Sequence, residues 1–382
     1  GINDVRKTRT DRIEDMDLLY SDSYVLASGH NIGVDWNTEQ TLAWTTSIPA
    51  YEVPLMRGDE TLQALIPKLD DLCDENGILG ALERVEDFVQ TYERWQHEQS
   101  EHYSSRTDLS HFQEIFQEHN TNVSSTIDRI RAGAKFLLEN PTERRAFMLA
   151  NRAIRTSQRA NSLHTDYRNE NFEWRPFQFA FQLLNVEGLL SGTDHEHRGI
   201  LDLAWFPTGG GKTEAYLGLI AMSAFYRRLD PEKGPREMST PGISAIMRYT
   251  LRLLTADQAS RLIRLCGAMN IVWSEQAEDG QYFAPFTTGM WIGESSSPNK
   301  FYTNERYQNQ NKVSVQDIFD HHNRGEELPE STFIQFNTCP WCKDESLGSV
   351  DQWRIQRVQS TVAGYEVPKL VGHESGFTPP EL

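Results

Sequence analysis

Cysteine is scarce in this chain, which has four cysteines among 382 residues. So few thiols cannot form the disulfide framework that is typical of small secreted proteins. The first residues form no apolar signal region, and no apolar run approaches the roughly 20 residues that a transmembrane helix needs. These absences predict a protein of the cytoplasm, a reducing compartment, with no membrane-spanning segment.

Positive charge is scarce as well: 37 lysines and arginines stand against 55 acidic residues, and the net charge is -18. This balance excludes a uniformly basic nucleic-acid-binding surface, because contacts with phosphates need lysine and arginine. Local clusters matter more than the total. Arginines gather in residues 144–159 and again in residues 248–264. The first cluster is interpreted as a solvated helix face, whereas the second coincides with a motif described below.

The most informative stretch of the sequence lies at residues 200–220. An apolar run at residues 200–206 predicts a short strand, and residues 214–229 predict an apolar helix. Between them stands the loop Pro-Thr-Gly-Gly-Gly-Lys-Thr at residues 207–213. Glycines followed by Lys-Thr between a strand and a helix are typical of a loop that binds the phosphates of a nucleoside triphosphate.

Each residue type in this loop has a chemical reason to be there. Glycines without a Cβ let backbone N–H groups converge on the phosphates, and the helix N-terminus adds partial positive charge. Lys212 is expected to contact the β- and γ-phosphates of ATP, and the Thr213 hydroxyl to ligate Mg²⁺, which makes these two the predicted catalytic residues. The predicted nucleotide-binding residues are Arg175, Gln178, Thr208, Gly209, Gly210, Gly211, Lys212, Thr213 and Glu214.

The loop departs from the general phosphate-binding pattern at Phe206, where a glycine is usual. In this respect it resembles motif I of superfamily 2 helicases, which disfavours a GTPase or a small-molecule kinase. Upstream, residues 175–178 resemble the adenine-reading element of those helicases. The amide of Gln178 can pair with the N6 donor and the N7 acceptor of adenine. The alternative is a helix N-terminus that merely contains a glutamine.

A second motif follows at residues 247–258 and resembles helicase motif Ia, where a strand ends and a helix begins over the nucleic-acid backbone. Hydroxyl groups, arginines and helix N–H groups suit phosphate oxygens, which position a strand without reading its sequence. The predicted DNA-binding residues are Thr250, Arg252, Thr255 and Arg261.

The amino-acid sequence of residues 206–218, together with that of residues 247–255, resembles sequences of the DrmA family, the helicase subunit of the bacterial DISARM anti-phage system. The resemblance is strongest over residues 171–300. It implies an ATP-hydrolysing superfamily 2 DNA helicase or translocase that works with a companion DISARM subunit. It also implies binding to single-stranded DNA or a duplex end with little sequence preference. The alternative is an ATP-binding DNA clamp or scaffold without turnover.

Two further groups of residues raise the question of metal binding. Cys339 and Cys342 have the spacing of a zinc knuckle and supply half of a tetrahedral Zn²⁺ site, with the other ligands elsewhere. Their sequence context is unlike that of a thioredoxin-type redox pair. The run Asp-His-Glu-His at residues 194–197 is interpreted as a solvated loop rather than a metal site.

Alternating strand and helix patterns predict an α/β fold, a P-loop RecA-like parallel sheet forming an incomplete first motor domain at residues 166–300. A mainly helical N-terminal domain with a short β-containing start is predicted before it, at residues 1–165. Apolar spacing there predicts helices over residues 60–99 and 124–157, and Pro141 is suited to a helix start. Residues 301–382 are predicted to be an insertion that carries the cysteine pair. Because no Asp-Glu pair follows an apolar strand after Thr213, the chain is expected to be the front portion of a longer helicase.

Overall fold

Helices dominate the part of the chain that the computed structural model describes, and these described residues fall into two compact units. The first unit comprises residues 1–65 and 86–131, and the second comprises residues 66–85 and 132–382. Within them the structure describes residues 17–19, 21, 30, 32–37, 39, 41–46, 60–162, 172–191, 195–204, 210–229, 242–249, 252–276, 285–290, 313–326, 340–341, 354–359 and 366–371.

The first unit contains a short antiparallel hairpin. Strand β1 (Gly33–Trp36) pairs with β2 (Ala43–Thr46), and Val34 lies opposite Thr45. The Asn37 side chain closes the turn, because its Oδ1 accepts hydrogen bonds of 2.9 and 2.8 Å from the amides of Thr41 and Leu42. A local side-chain bond of this kind is a common reason for asparagine in turns. The hairpin lies within residues 1–165, where the sequence predicts a short β-containing start.

A run of helices follows, as the apolar spacing from residue 60 onward predicts. The helices are α1 (Glu60–Leu65), α2 (Leu69–Leu72), α3 (Glu75–Glu83), α4 (Val85–Ser105), a 3-10 helix (Thr107–Phe112) and α5 (Gln113–Glu139). The residues between the two predicted helical ranges, 100–123, are also largely helical, because α4 and α5 extend through most of them. Polar side chains on these helices satisfy one another, since Gln96 Nε2 donates to Asn120 Oδ1 over 2.8 Å.

The second unit contains the helices around the phosphate loop. Its further elements are α6 (Pro141–Ser162), α7 (Pro176–Leu190), a 3-10 helix (Glu196–Gly199), α8 (Lys212–Leu229), α9 (Arg252–Ser274), α10 (Val315–Arg324) and the antiparallel strands β3 (Arg354–Gln359) and β4 (Glu366–Val371). Helix α6 begins at Pro141 as predicted, because proline already has the backbone angle of a first helical turn.

The core of this unit lies where α8 packs against α6 and α7, and α9 packs against α6. Phe147, Phe179 and Phe225 are fully buried there. Trp174, also fully buried, donates from Nε1 to Asn151 Oδ1 over 2.7 Å, so the polar group of each side chain has a partner. Among the described helices, none is long and apolar enough to cross a membrane.

The predicted α/β class with a RecA-like parallel sheet is wrong for the described chain, where all paired strands belong to the two antiparallel hairpins. The described residues 200–204 and 242–249 form no strand. Leu201 and Leu203 are 95% and 79% exposed. An apolar run indicates a local preference for extended backbone, but a sheet also requires a neighbouring strand that completes its hydrogen bonds. Sequence periodicity does not show whether that neighbour is present.

Candidate nucleotide-binding site

The second half of the phosphate loop lies at the start of α8. Gly210 and Gly211 precede the helix, which begins at Lys212. Thr208 and Gly209, also predicted to bind nucleotide, lie outside the described residues. The loop therefore meets a helix N-terminus, where unpaired N–H groups and the helix dipole favour an anion.

Residues at the start of α7 hold the backbone of this loop. Gln178 Nε2 donates to the carbonyl oxygen of Gly211 over 2.7 Å, and Arg175 Nη1 donates to that of Gly210 over 2.9 Å. The other end of the Gln178 amide accepts a 2.8 Å bond from the backbone N–H of Arg175. Both loop carbonyls are thus bound to α7. The structure brings Arg175 and Gln178 to the predicted site, with the Gln178 amide engaged by protein groups at both ends.

Gly211 is a position that requires glycine. Its φ angle is 86°, in the left-handed region that side chains other than glycine rarely adopt. A Cβ at this position would lie 2.6 Å from Gln178 Nε2. The backbone conformation and the close approach of α7 therefore exclude a side chain for independent reasons.

Thr213 and Glu214, in the first turn of α8, contact residues of the motif Ia region. The Thr213 hydroxyl is hydrogen-bonded to that of Tyr249. Burial raises the pKa of Tyr249, and the bond with Thr213 opposes that rise. Arg261 Nη1 lies 2.8 Å from Glu214 Oε1, and Arg261 Nε lies 3.0 Å from Asp257 Oδ2. The two predicted motifs are therefore joined by side-chain bonds, a relationship that the sequence did not indicate.

The predicted DNA-binding residues divide into two groups. Arg252 and Thr255 lie in the first turns of α9, but their side chains, and Thr250 altogether, lie outside the described residues. Arg261 is described and is held by its two carboxylate partners. Arg264, the last arginine of the second cluster, is buried, and burial lowers the pKa of its guanidinium group. The described part of the second arginine cluster is therefore largely committed to protein contacts.

The first arginine cluster connects α6 to its neighbours instead of forming a purely solvated face. Arg152 Nε donates to the carbonyl oxygen of Cys73 over 2.7 Å, and Arg155 Nη1 lies 2.7 Å from Asp70 Oδ1. Arg144 Nη1 donates to two carbonyl oxygens near the end of α5. The bonds from Arg144 and Arg152 go to carbonyl oxygens near helix ends, where the last carbonyls of a helix have no partner within it.

The cysteine pair itself, Cys339 and Cys342, lies outside the described residues, so its zinc site stays a prediction. The two residues between them are described and contact α9. Arg264 Nη1 donates to the Pro340 carbonyl oxygen over 3.5 Å, and a Cβ at Gly267 would lie 3.1 Å from the Trp341 ring.

The interpretation of residues 194–197 as a solvated loop does not hold for the two histidines of that run. His195 and His197 are partly buried and lie against Glu187 of α7. Glu187 was not singled out in the sequence, because it is separated from the histidines along the chain. Only the return of the chain onto α7 brings the three residues together.

Comparison with known proteins identifies a relative among the curated proteins. No protein-family model matches the chain. Among curated proteins, the DISARM protein DrmA of Bacillus paralicheniformis (strain ATCC 9945a / NCIMB 11709 / CD-2) is 32% identical over 336 residues, which covers 81% of this chain. The same match covers 29% of that protein, so this chain spans less than a third of its relative's length. The resemblance expected from residues 171–300 is confirmed, and the chain is a DrmA-like protein.

Proposed function

We propose that this chain is part of a cytoplasmic DISARM subunit that binds ATP at the start of α8 and uses it to move along DNA during anti-phage defence. The observation that carries the proposal is the loop at Gly210 and Gly211, which α7 holds against the N-terminus of α8. The relative named DISARM protein DrmA supports the assignment to this defence system.

The residues at the loop fit a magnesium-bound nucleoside triphosphate. The loop carbonyls are bound to α7, and Gly211 has no Cβ to obstruct a phosphate. Lys212 adds a positive charge at the first position of α8, and the Thr213 hydroxyl follows it. In our proposal Lys212 binds the β- and γ-phosphates, and Thr213 holds Mg²⁺, which neutralises phosphate charge when bound.

DNA binding is proposed at the first turns of α9. Arg252 and Thr255 lie there, and the helix N-terminus supplies N–H groups for backbone phosphates. The ion pair between Arg261 of α9 and Glu214 of α8 then connects the DNA-binding helix with the nucleotide-binding helix. A shift of α9 on DNA binding would change the surroundings of Glu214, one turn from the loop.

A second candidate function is an ATP-binding DNA clamp that does not turn ATP over. It is favoured by the pairing of both Glu214 and Asp257 with Arg261. Hydrolysis requires a group that orients the attacking water and others that stabilise transition-state charge. These two paired carboxylates are poorly suited to orienting a water while the pairs persist.

The experiment that tests the proposal measures ATP binding and ATP hydrolysis by this chain and by a protein extended to the length of its DrmA relative, each with and without single-stranded DNA. We expect DNA-stimulated hydrolysis from the longer protein and almost none from residues 1–382. ATP binding without hydrolysis by the longer protein would support the clamp. An absence of ATP binding in both proteins would contradict both functions.

A further inference from the structure

Within the described ranges, three potential metal ligands converge at the end of α7: Glu187, His195 and His197. His195 Nε2 lies 3.3 Å from Glu187 Oε1, and His197 Nδ1 lies 3.6 Å from Glu187 Oε2. The two imidazole rings are 4.9 Å apart, centre to centre. One ligand atom from each residue can be chosen so that all three lie within 4.8 Å of one another.

Local structure holds these three side chains in place. Gly188 lets the chain return close to α7, because a Cβ there would lie 3.0 Å from the Cβ of His197 and 3.1 Å from its backbone. His195 precedes the 3-10 helix (Glu196–Gly199), and its Nδ1 accepts a 3.2 Å bond from the His197 amide. The side chains of Glu187, His195 and His197 are only 24%, 24% and 18% exposed.

The described protein groups do not satisfy this cluster. Nδ1 of His197 is buried and has no hydrogen-bond partner among the described residues, since its 3.6 Å separation from Glu187 Oε2 is too long for a hydrogen bond. A buried polar nitrogen without a partner is unfavourable. The Glu187 carboxylate and the His195 imidazole lie beside this nitrogen.

We infer that Glu187, His195 Nε2 and His197 Nδ1 bind a zinc ion, with water as the fourth ligand. Two imidazoles and one carboxylate form a donor set that Zn²⁺ prefers. Metal–ligand bonds of about 2.0–2.2 Å separate ligand atoms in a tetrahedral site by roughly 3.3–3.6 Å. The two histidine–carboxylate separations, 3.3 and 3.6 Å, lie in that range, and the three ligand atoms lie within 4.8 Å of one another.

Zinc binding also implies a change of tautomer at His195. In the structure, Nδ1 of His195 accepts a hydrogen bond from the backbone N–H of His197, so the ring proton lies on Nε2. Coordination through Nε2 moves that proton to Nδ1, and the 3.2 Å bond from the amide is lost. A zinc ion at this site would tie residues 195–197, which precede the phosphate loop, to α7. The start of α7 also holds that loop through its bonds to Gly210 and Gly211. This inference does not depend on nucleotide binding.

Zinc titration against a chromogenic chelator tests the site in the chain that carries Cys339→Ser and Cys342→Ser, so that the cysteine pair cannot contribute. We expect one zinc per chain, bound with micromolar or tighter affinity, and at least tenfold weaker binding after His197→Ala or Glu187→Gln. His97→Ala is the matched control, because His97 also contacts a carboxylate, Glu101, at 3.3 Å but without a second histidine. Unchanged zinc affinity after His197→Ala, or no zinc binding by the chain that carries only the two cysteine substitutions, would overturn the inference.

A second measurement does not depend on the folding of any site variant. Diethyl pyrocarbonate modifies histidines, and mass spectrometry measures the modification of each one, with and without Zn²⁺, in the same chain that carries Cys339→Ser and Cys342→Ser. We expect zinc to protect His195 and His197 at least fivefold and to leave His97 unchanged. Equal modification of His195 and His197 in both conditions would show that the cluster is a hydrogen-bonded structural group and would overturn the inference.

Discussion

The side-chain amide of Gln178 donates a 2.7 Å hydrogen bond to the carbonyl oxygen of Gly211. Gln178 is 2% exposed, and its Oε1 accepts the backbone N–H of Arg175. A buried amide that loses a partner costs about 1–3 kcal/mol, so the glutamine and the loop conformation stabilise each other. Gln178 therefore positions the loop that precedes α8, and any contact with adenine would be added to that role.

Replacing Gly211 with alanine should destabilise the protein and weaken ATP binding. The positive φ angle alone costs on the order of 1–3 kcal/mol for a residue with a Cβ, and the new methyl group would meet Gln178. Denaturant unfolding and ATP titration would measure both effects. Gly289→Ala is the control, because a Cβ there has nothing within 4 Å. Equal stability of the two variants would contradict the account of this turn.

The loop and its helix were predictable because their signal is local. Glycines followed by Lys-Thr and an apolar pattern predict a helix from residue 214, and α8 begins two residues earlier, at Lys212. The start of α6 at Pro141 was predictable for the same reason. In both cases the residue types determine the backbone within a few positions along the chain.

The remaining features depend on contacts between distant parts of the chain. The parallel sheet was inferred from apolar runs, but residues 200–204 and 242–249 have no strand partner among the described residues. The Arg261–Glu214 ion pair and the approach of His197 to Glu187 both join separate helical elements. Periodicity indicates which residues favour a helix or strand, but it does not indicate which elements pack together.

Reversing the charge of Arg252 should weaken binding to single-stranded DNA and flatten its salt dependence. One phosphate contact is lost and one repulsion is gained, so the salt slope should fall by about one unit. Fluorescence anisotropy with a labelled oligonucleotide at several salt concentrations would measure both quantities. Arg94→Glu makes the same charge change on an exposed α4 position and serves as the control. If R252E and R94E behave alike, Arg252 is an ordinary surface charge.

The buried thiol of Cys73 should make stability fall at alkaline pH. Burial raises the pKa of Cys73 to about 11, above the value near 8.5 of an unfolded chain. The contribution of this thiol to the free energy of unfolding is complete below pH 8.5 and is lost as the pH rises toward 11, since only the unfolded chain then releases the proton. Between pH 8 and pH 10, the free energy of unfolding measured with denaturant should therefore fall by about 1–2 kcal/mol more in the parent than in Cys73→Ala. An identical pH dependence in both would contradict the buried environment of this thiol.

Cys339 and Cys342 should account for one zinc ion per chain. Two thiolates supply half of a tetrahedral site, and the remaining ligands come from elsewhere. Metal analysis by inductively coupled plasma mass spectrometry should find one zinc more in the parent than in the variant with Cys339→Ser and Cys342→Ser. The difference isolates the cysteine site from any zinc at Glu187, His195 and His197. The same zinc content in both proteins would identify the cysteines as free thiols.

ATP affinity of the 382-residue chain tests the central claim most directly. Lys212 opens α8 beside the loop, so Lys212→Ala removes the positive charge expected at the β- and γ-phosphates. Lys135→Ala is the control, because Lys135 is an exposed lysine that pairs only loosely, at 3.7 Å, with Glu139. Isothermal titration with Mg²⁺ and ATP should show at least tenfold weaker binding for K212A and parental affinity for K135A. Equal ATP affinity of the parent and K212A would contradict the assignment of this loop to ATP.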